Sequence, residues 1–328
     1  MGKYSHYSDA DPEFAPIQND VAKMIDEVFA LPLDQMRNAF SQPGPLPEDS
    51  PKDVTTKDME ISVRDGSKIG IRIYKRKGLG ADALLFLVLH GGGWVIGNHS
   101  TEETMNRYVA GLNDAVVVSV DYRMAPEFRY PHAANDSFDA LKWCAANAST
   151  LGISANRIVV GGSSAGGNLS AVVAQMARDN GVPGILGQVL NIPVTCHPDF
   201  FPRDRYEYNS WTQNENAPLL PSRRMALFWD YYVPKGQLRP EAYHSPLLAK
   251  NLKGLPPALV QVAGMDPLRD EGIAYADALK EAGVDVKLEV YGGVPHGFGS
   301  MPNLSKSVKY NQNVVDFIKK VDQDKSKL

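Results

Sequence analysis

Apolar residues run almost unbroken through Ala83 to Leu89 (ALLFLVL), Val116 to Val120 and Pro257 to Ala263 (PALVQVA), with a shorter run at Ile158 to Val160. A strand covered on both faces needs an apolar side chain at nearly every position, so these runs predict buried strands of a parallel sheet. Val284 to Tyr291 (VDVKLEVY) alternates instead and predicts a further strand. Between the runs the period changes. Gly167 to Asn180 carries Leu169, Val172, Val173 and Met176 at helical spacing, and residues 15 to 42 do the same with Val21, Met24, Ile25, Val28 and Phe29. Strands interleaved with helices in this way predict an α/β architecture.

Short motifs stand at the ends of these strands. Gly162, Ser163, Ser164, Ala165 and Gly166 form G-x-S-x-G between the Ile158 to Val160 strand and the helix after it. A strand turning sharply into a helix brings neighbouring backbone too close for side chains, hence glycine on both sides, and the turn lifts the serine oxygen clear of the sheet. Ser164 is the candidate nucleophile. The Ala83 to Leu89 strand ends in His90, Gly91, Gly92, Gly93 and Trp94. Attack on an acyl carbon places negative charge on the carbonyl oxygen, and backbone N–H groups reach that oxygen only where no side chain blocks them. Gly91, Gly92 and Gly93, with the Ala165 N–H beside the nucleophile, are the candidate oxyanion hole.

A serine hydroxyl near neutral pH needs a base, and the base needs a carboxylate to orient it. Of seven histidines, His296 follows the alternating strand through a turn at Gly292 to Pro295, which puts it on a loop where open α/β sheets place their chemistry. His6 lies in a polar N-terminus, His99 flanks the glycine run, and His197 and His244 sit in an irregular aromatic stretch. His90 is expected to hold the glycine loop through its ring. Asp266 comes three residues after the Pro257 to Ala263 run, ahead of a helix beginning near Gly272, and is the candidate carboxylate. Asp270 and Glu271 are its rivals, but they stand where acidic residues commonly stabilise a helix N-terminus. Asp121, Tyr122 and Arg123 are assigned to packing and loop hydrogen bonds, and His132 and Asp136 to the start of the following helix.

Taken together, HGGGW (90 to 94), DYRMAPEFRYP (121 to 131), GGSSAGGNLSA (161 to 171), GMDPLRDEG (264 to 272) and PHGF (295 to 298) resemble the motif series of the hormone-sensitive-lipase-like carboxylesterases, an α/β-hydrolase family. The resemblance implies a mostly parallel eight-stranded sheet flanked by helices, with Ser164, Asp266 and His296 as catalytic triad and Gly92, Gly93 and Ala165 as oxyanion donors. It also implies that residues 1–50 and an insertion at 195–243 form a helical cap over a core of 51–194 and 244–328. No cofactor is implied. One position departs from the pattern: the residue before the nucleophile is often acidic in that family and is Ser163 here, which bears on how the site is held. The insertion is rich in aromatics, among them Phe201, Tyr208, Trp211, Phe228, Trp229 and Tyr232. Most are expected to form the cap's own small core, and the rest to favour a small apolar ester as substrate. A thioesterase, amidase or acyltransferase would use the same triad. A non-catalytic ligand receptor on this fold is disfavoured because His296 is retained.

Composition changes this picture little. The chain has 328 residues, 43% hydrophobic and 22% charged, and a net charge of −4 offers no electrostatic case for nucleic acid or an anionic membrane. No apolar run approaches a membrane span. Cys144 and Cys196 read as buried thiols, not as a disulfide or metal site. A monomer or homodimer is expected. The N-terminus resembles no signal peptide, and Ser326, Lys327 and Leu328 match the tripeptide read by the peroxisomal import receptor, so a peroxisomal location is expected, with the cytoplasm as the alternative.

Overall fold

The computed structural model describes residues 2–42 and 46–325. Pro43 and Pro45, and the Ser326, Lys327 and Leu328 tripeptide, lie outside the described residues. Eight strands form one sheet: β1 (Val54–Ser62), β2 (Lys68–Arg76), β3 (Ala83–Leu89), β4 (Ala115–Asp121), β5 (Ile153–Ser163), β6 (Ile185–Asn191), β7 (Ala258–Met265) and β8 (Val286–Pro295). Their spatial order is β1-β2-β4-β3-β5-β6-β7-β8; β1 and β2 form an antiparallel pair, β2 runs antiparallel to β4, and all later pairings are parallel.

The unbroken apolar runs are explained by how alternate side chains divide between two faces. Leu85, Leu87 and Leu89 of β3 join Val116, Val118, Val160 and Val260 in one core, whereas Leu84, Phe86 and Val88 join Val117, Val159 and Leu259 in the other. On the first face pack α4 (His132–Ala146), α6 (Ala165–Asp179) and α9 (Arg269–Glu281); on the second pack α3 (Glu103–Leu112) and α10 (Ser305–Lys325). Both layers exclude water from β3 to β7, and the parallel direction brings the ends of β3, β5, β7 and β8 to one edge.

Several boundaries differ from the sequence reading. β8 continues through Gly292 and Gly293 to Pro295 where a turn was expected, because Met265 of β7 pairs with Pro295 across a register shift. β7 likewise extends to Met265, so Asp266 directly follows it, and α9 begins at Arg269, three residues before Gly272. The expected single N-terminal helix is two, Gln18–Phe29 and Leu33–Ser41.

The chain before them is not a loose end. Phe14 is fully buried against Ile192, Tyr291 and Phe298, the Asp11 N–H donates to the Gly293 carbonyl at 2.9 Å, and Lys306 pairs with Asp11 at 2.5 Å. Over the strand edge lie the two N-terminal helices and the 195–243 segment with its helix Ser222–Tyr232. Their link is aromatic and ionic: Phe29 packs edge-on to Phe228 at 5.9 Å, and Arg224 pairs with Asp26 at 2.6 Å. Thr195 and Cys196, at the start of the expected insertion, are tied instead to the core by hydrogen bonds to Glu271.

Candidate active site

Ser164 sits at the junction of β5 and α6 with φ 57° and ψ −117°, a conformation most residues avoid. It is held by its own N–H donating to the Asn191 carbonyl at 2.8 Å and by its carbonyl accepting from Asn168 at 2.9 Å. The turn needs its glycine: a Cβ on Gly166 would collide with the carbonyl oxygens of Leu89 and His90, because the elbow is pressed against the end of β3. That approach places nucleophile and glycine loop side by side.

His296 and Asp266 come from the ends of the two neighbouring strands β8 and β7. His296 Nε2 lies 2.9 Å from Ser164 Oγ, and His296 Nδ1 lies 2.6 Å from Asp266 Oδ2. Oδ1 of Asp266 accepts the Leu268 N–H at 2.9 Å, which fixes the carboxylate plane, and Asn214 Nδ2 donates to the Asp266 carbonyl at 3.0 Å. Asp266 is buried, while Ser164 and His296 keep limited access to solvent. The three residues singled out from the sequence are thus within hydrogen-bond reach of one another.

The rival acids do other work. Asp270 is fully buried, accepting from Arg269 Nε at 2.8 Å and from the Ser210 N–H at 2.8 Å. Glu271 accepts the Thr195 N–H at 2.7 Å and the Cys196 N–H at 3.3 Å, and burial pushes its carboxyl well above the usual carboxylate range. Both stand in the first turn of α9, yet they bind named partners from the segment around residues 195 and 210 and do more than complement a helix end. Asp136 also differs from expectation: it lies inside α4 and accepts from Arg123 through its N–H, Nε and Nη2. Helical periodicity puts a buried polar position there, but its partner comes from a different loop. His132 keeps to the helix start, with Nδ1 2.8 Å from the Arg129 carbonyl.

Gly92, Gly93 and Trp94 have φ of 117°, 59° and 62°, so the glycine loop coils through left-handed backbone. Gly92 is required: a Cβ there would strike the Ile96 carbonyl. Trp94 is clamped by a parallel stack on Tyr232 at 4.2 Å and a tilted contact with Trp229 at 4.8 Å, and Phe228 lies against Gly93. Among the described residues no protein acceptor is paired with the N–H of Gly92, Gly93 or Ala165. Gly91 is different. Its N–H is directed at Glu102 Oε1, 3.3 Å away, so it is spoken for, and the candidate donors reduce to Gly92, Gly93 and Ala165. His90 Nδ1 lies 2.7 Å from the Gly91 carbonyl and its ring stacks on Tyr122 at 4.2 Å, while burial lowers its pKa and keeps the imidazole neutral. His90 therefore braces the loop. The Tyr122 hydroxyl donates to the His90 carbonyl at 2.8 Å, consistent with the packing role assigned to that strand end.

Two further features were missed by sequence reasoning: Glu102, which lies outside every motif, and the N-terminal residues that brace β7 and β8. Both thiols are free and buried, and burial pushes the Cys144 pKa up to about 12 and that of Cys196 higher. Among the described residues there is no cluster of His, Cys, Asp and Glu able to hold a metal, and no helix is long and apolar enough to cross a membrane.

Comparison with known proteins agrees with this fold. A family model described as the alpha/beta hydrolase fold matches residues 86–300. The chain is 38% identical to esterase LipI of Mycobacterium tuberculosis over 306 residues, covering 91% of this chain and 92% of that one. It is 40% identical to carboxylesterase NlhH of the same species over 233 residues, covering 70% and 71%. A solved bacterial heroin esterase superposes with a TM-score of 0.83 at 31% identity, covering 95% of this chain and 98% of that one. With the strand order, the elbow and the matched span in agreement, this chain belongs to the α/β-hydrolase family, in its hormone-sensitive-lipase-like branch of carboxylic ester hydrolases.

Proposed function

We propose that the protein hydrolyses short to medium acyl esters of small apolar alcohols through an acyl-enzyme on Ser164. The observation that carries this reading is the chain of contacts from Ser164 Oγ to His296 Nε2 at 2.9 Å and from His296 Nδ1 to Asp266 Oδ2 at 2.6 Å, beside three unpaired backbone N–H groups. His296 takes the hydroxyl proton as Ser164 Oγ bonds to the acyl carbon, and the carbonyl electrons move to oxygen. Asp266 holds the imidazolium that results. The N–H groups of Gly92, Gly93 and Ala165 receive the oxyanion. His296 then returns the proton to the leaving alcohol oxygen as the ester C–O bond breaks. Water, deprotonated by His296, repeats the sequence on the acyl-enzyme and frees the acid and Ser164.

Phe228 against Gly93, with Phe29 behind it, supports an apolar group beside the reacting carbonyl. The test is hydrolysis of p-nitrophenyl acetate and butyrate by the protein and by Ser164→Ala. Turnover is expected to vanish in the variant, and a fluorophosphonate to label only the parent protein. Near-parental turnover by Ser164→Ala would sink the assignment. Delivery to peroxisomes through Ser326, Lys327 and Leu328 is a separate reading. A fluorescent fusion carrying the free C-terminus should localise there and lose that location when the three residues are removed.

A further inference from the structure

The strained loop at Gly92 and Gly93 is only as good an oxyanion hole as its anchors make it, because a donor contributes fully only when it already points at the developing charge. The peptide between Gly91 and Gly92 carries both the Gly91 carbonyl and the Gly92 N–H. Its carbonyl is held by His90 Nδ1 at 2.7 Å, which sets the direction of the N–H. The preceding peptide is held from the other side, where the Gly91 N–H donates to Glu102 Oε1 at 3.3 Å. Glu102 is the residue just before α3, and its main chain is fixed by the Asn106 N–H donating to its carbonyl at 2.9 Å. Its carboxyl faces the Ser163 hydroxyl, which in turn faces the buried phenol of Tyr310. The backbones are equally close: a Cβ on Gly91 would stand 3.0 Å from the Ser163 carbonyl oxygen and 3.6 Å from Glu102 Oε1.

We propose that Glu102 is a positioning residue for the proposed oxyanion hole, a bracket from the N-terminus of α3 that ties the glycine loop at Gly91 to the nucleophile elbow at Ser163. An acid is thereby supplied beneath the elbow although the residue before the nucleophile is Ser163. Glu102 touches no reacting atom; it acts through the orientation of the 90–92 backbone. Burial raises its pKa against the opposing hydrogen bond from the Gly91 N–H, and a carboxyl oxygen can accept that N–H whether or not the group is ionised.

The inference rests on the esterase reading, so the experiment separates the two. Hydrolysis of p-nitrophenyl acetate by the unaltered protein tests the reaction itself, and only the ratios among Glu102 variants test the bracket. Glu102→Ala removes the acceptor and Glu102→Gln keeps one. Glu102→Ala should lower kcat about tenfold to a hundredfold, a fraction of what deleting a donor outright costs, with KM nearly unchanged. Inhibition by a trifluoromethyl ketone, whose adduct places an oxyanion in the same hole, should weaken by a similar factor. Glu102→Gln should stay within about threefold of the parent in both readouts. Glu102→Met, similar in length but without an acceptor, carries the same comparison if the alanine variant does not fold. Parental kcat and inhibitor affinity in Glu102→Ala or Glu102→Met, or equal losses in Glu102→Gln, would overturn the assignment. A loss confined to KM or to thermal stability would overturn it as well.

Discussion

The edge of the sheet and the segments expected to cap it, residues 1–50 and 195–243, are built in different ways. At the edge, Ser164, Asp266 and His296 each follow a strand within one residue, and their mutual distances are set by strand spacing and by backbone turns such as the one Gly166 permits. In the cap, position comes from side chains meeting across long stretches of chain: Asp26 with Arg224, Phe29 with Phe228, and Trp94 between Tyr232 and Trp229. Backbone-set geometry is stiff and suits the reacting atoms. Contacts between side chains can be altered one at a time without moving Ser164, so on the proposed esterase reading the overlying segments are the part able to change which ester is accepted.

That contrast can be broken most sharply at the edge. Asp266→Asn keeps the shape but removes the charge that orients and stabilises the imidazolium, and should lower kcat by roughly 10⁴, about 5.5 kcal/mol, with little change in melting temperature. Steady-state kinetics beside a thermal melt decides it. Asp270→Asn, only four residues on, should show the reverse. It leaves Arg269 buried beside a neutral partner, so unfolding in urea should reveal a loss of about 3 kcal/mol, while kcat of the folded protein stays close to the parent.

Cap substitutions should be gentler and selective. Phe228→Leu reshapes the apolar wall at Gly93 and is expected to raise KM for p-nitrophenyl butyrate relative to acetate by about threefold to tenfold, with Ser164 labelling by fluorophosphonate unaffected. If both esters respond equally, Phe228 shapes the hole and not the substrate. Smallest of all, Asp26→Asn removes the exposed partner of a salt bridge and should cost less than about 1 kcal/mol of stability, with kcat on acetate unchanged. A kcat loss as large as that of an edge variant would mean that the two N-terminal helices position the reacting groups, and the distinction between the two regions would fall.

Much of the edge was readable beforehand because its signals are local. The β3 run has the bounds Ala83–Leu89 in the sequence reading and in the structure alike, since seven consecutive apolar residues have no other stable place than between two helix layers. The elbow and glycine loop were readable for the same reason: close backbone approach demands glycine at positions such as Gly166 and Gly92, whatever lies elsewhere in the chain. Asp270 and Glu271 stand in the first turn of α9 as read, but their partners Ser210 and Thr195, like the Arg123 partner of Asp136, come from other elements and leave no local signal. The extended end of β8 escaped notice because Gly292 and Gly293 read as a turn until the neighbouring strand β7 supplies a partner.

By itself, then, the amino-acid sequence determined the strands β3, β4, β5, β7 and β8, the elbow, the glycine loop and the order of serine, aspartate and histidine, since each depends on backbone sterics and short-range periodicity. Only the tertiary structure decided where Asp270 and Glu271 find their partners, that Gly91 is bound by Glu102 and so is not a free donor, and that Phe228 overlies Gly93. Those outcomes depend on which side chains meet across the fold, and such meetings are settled by the packing of whole layers rather than by any local stretch of chain.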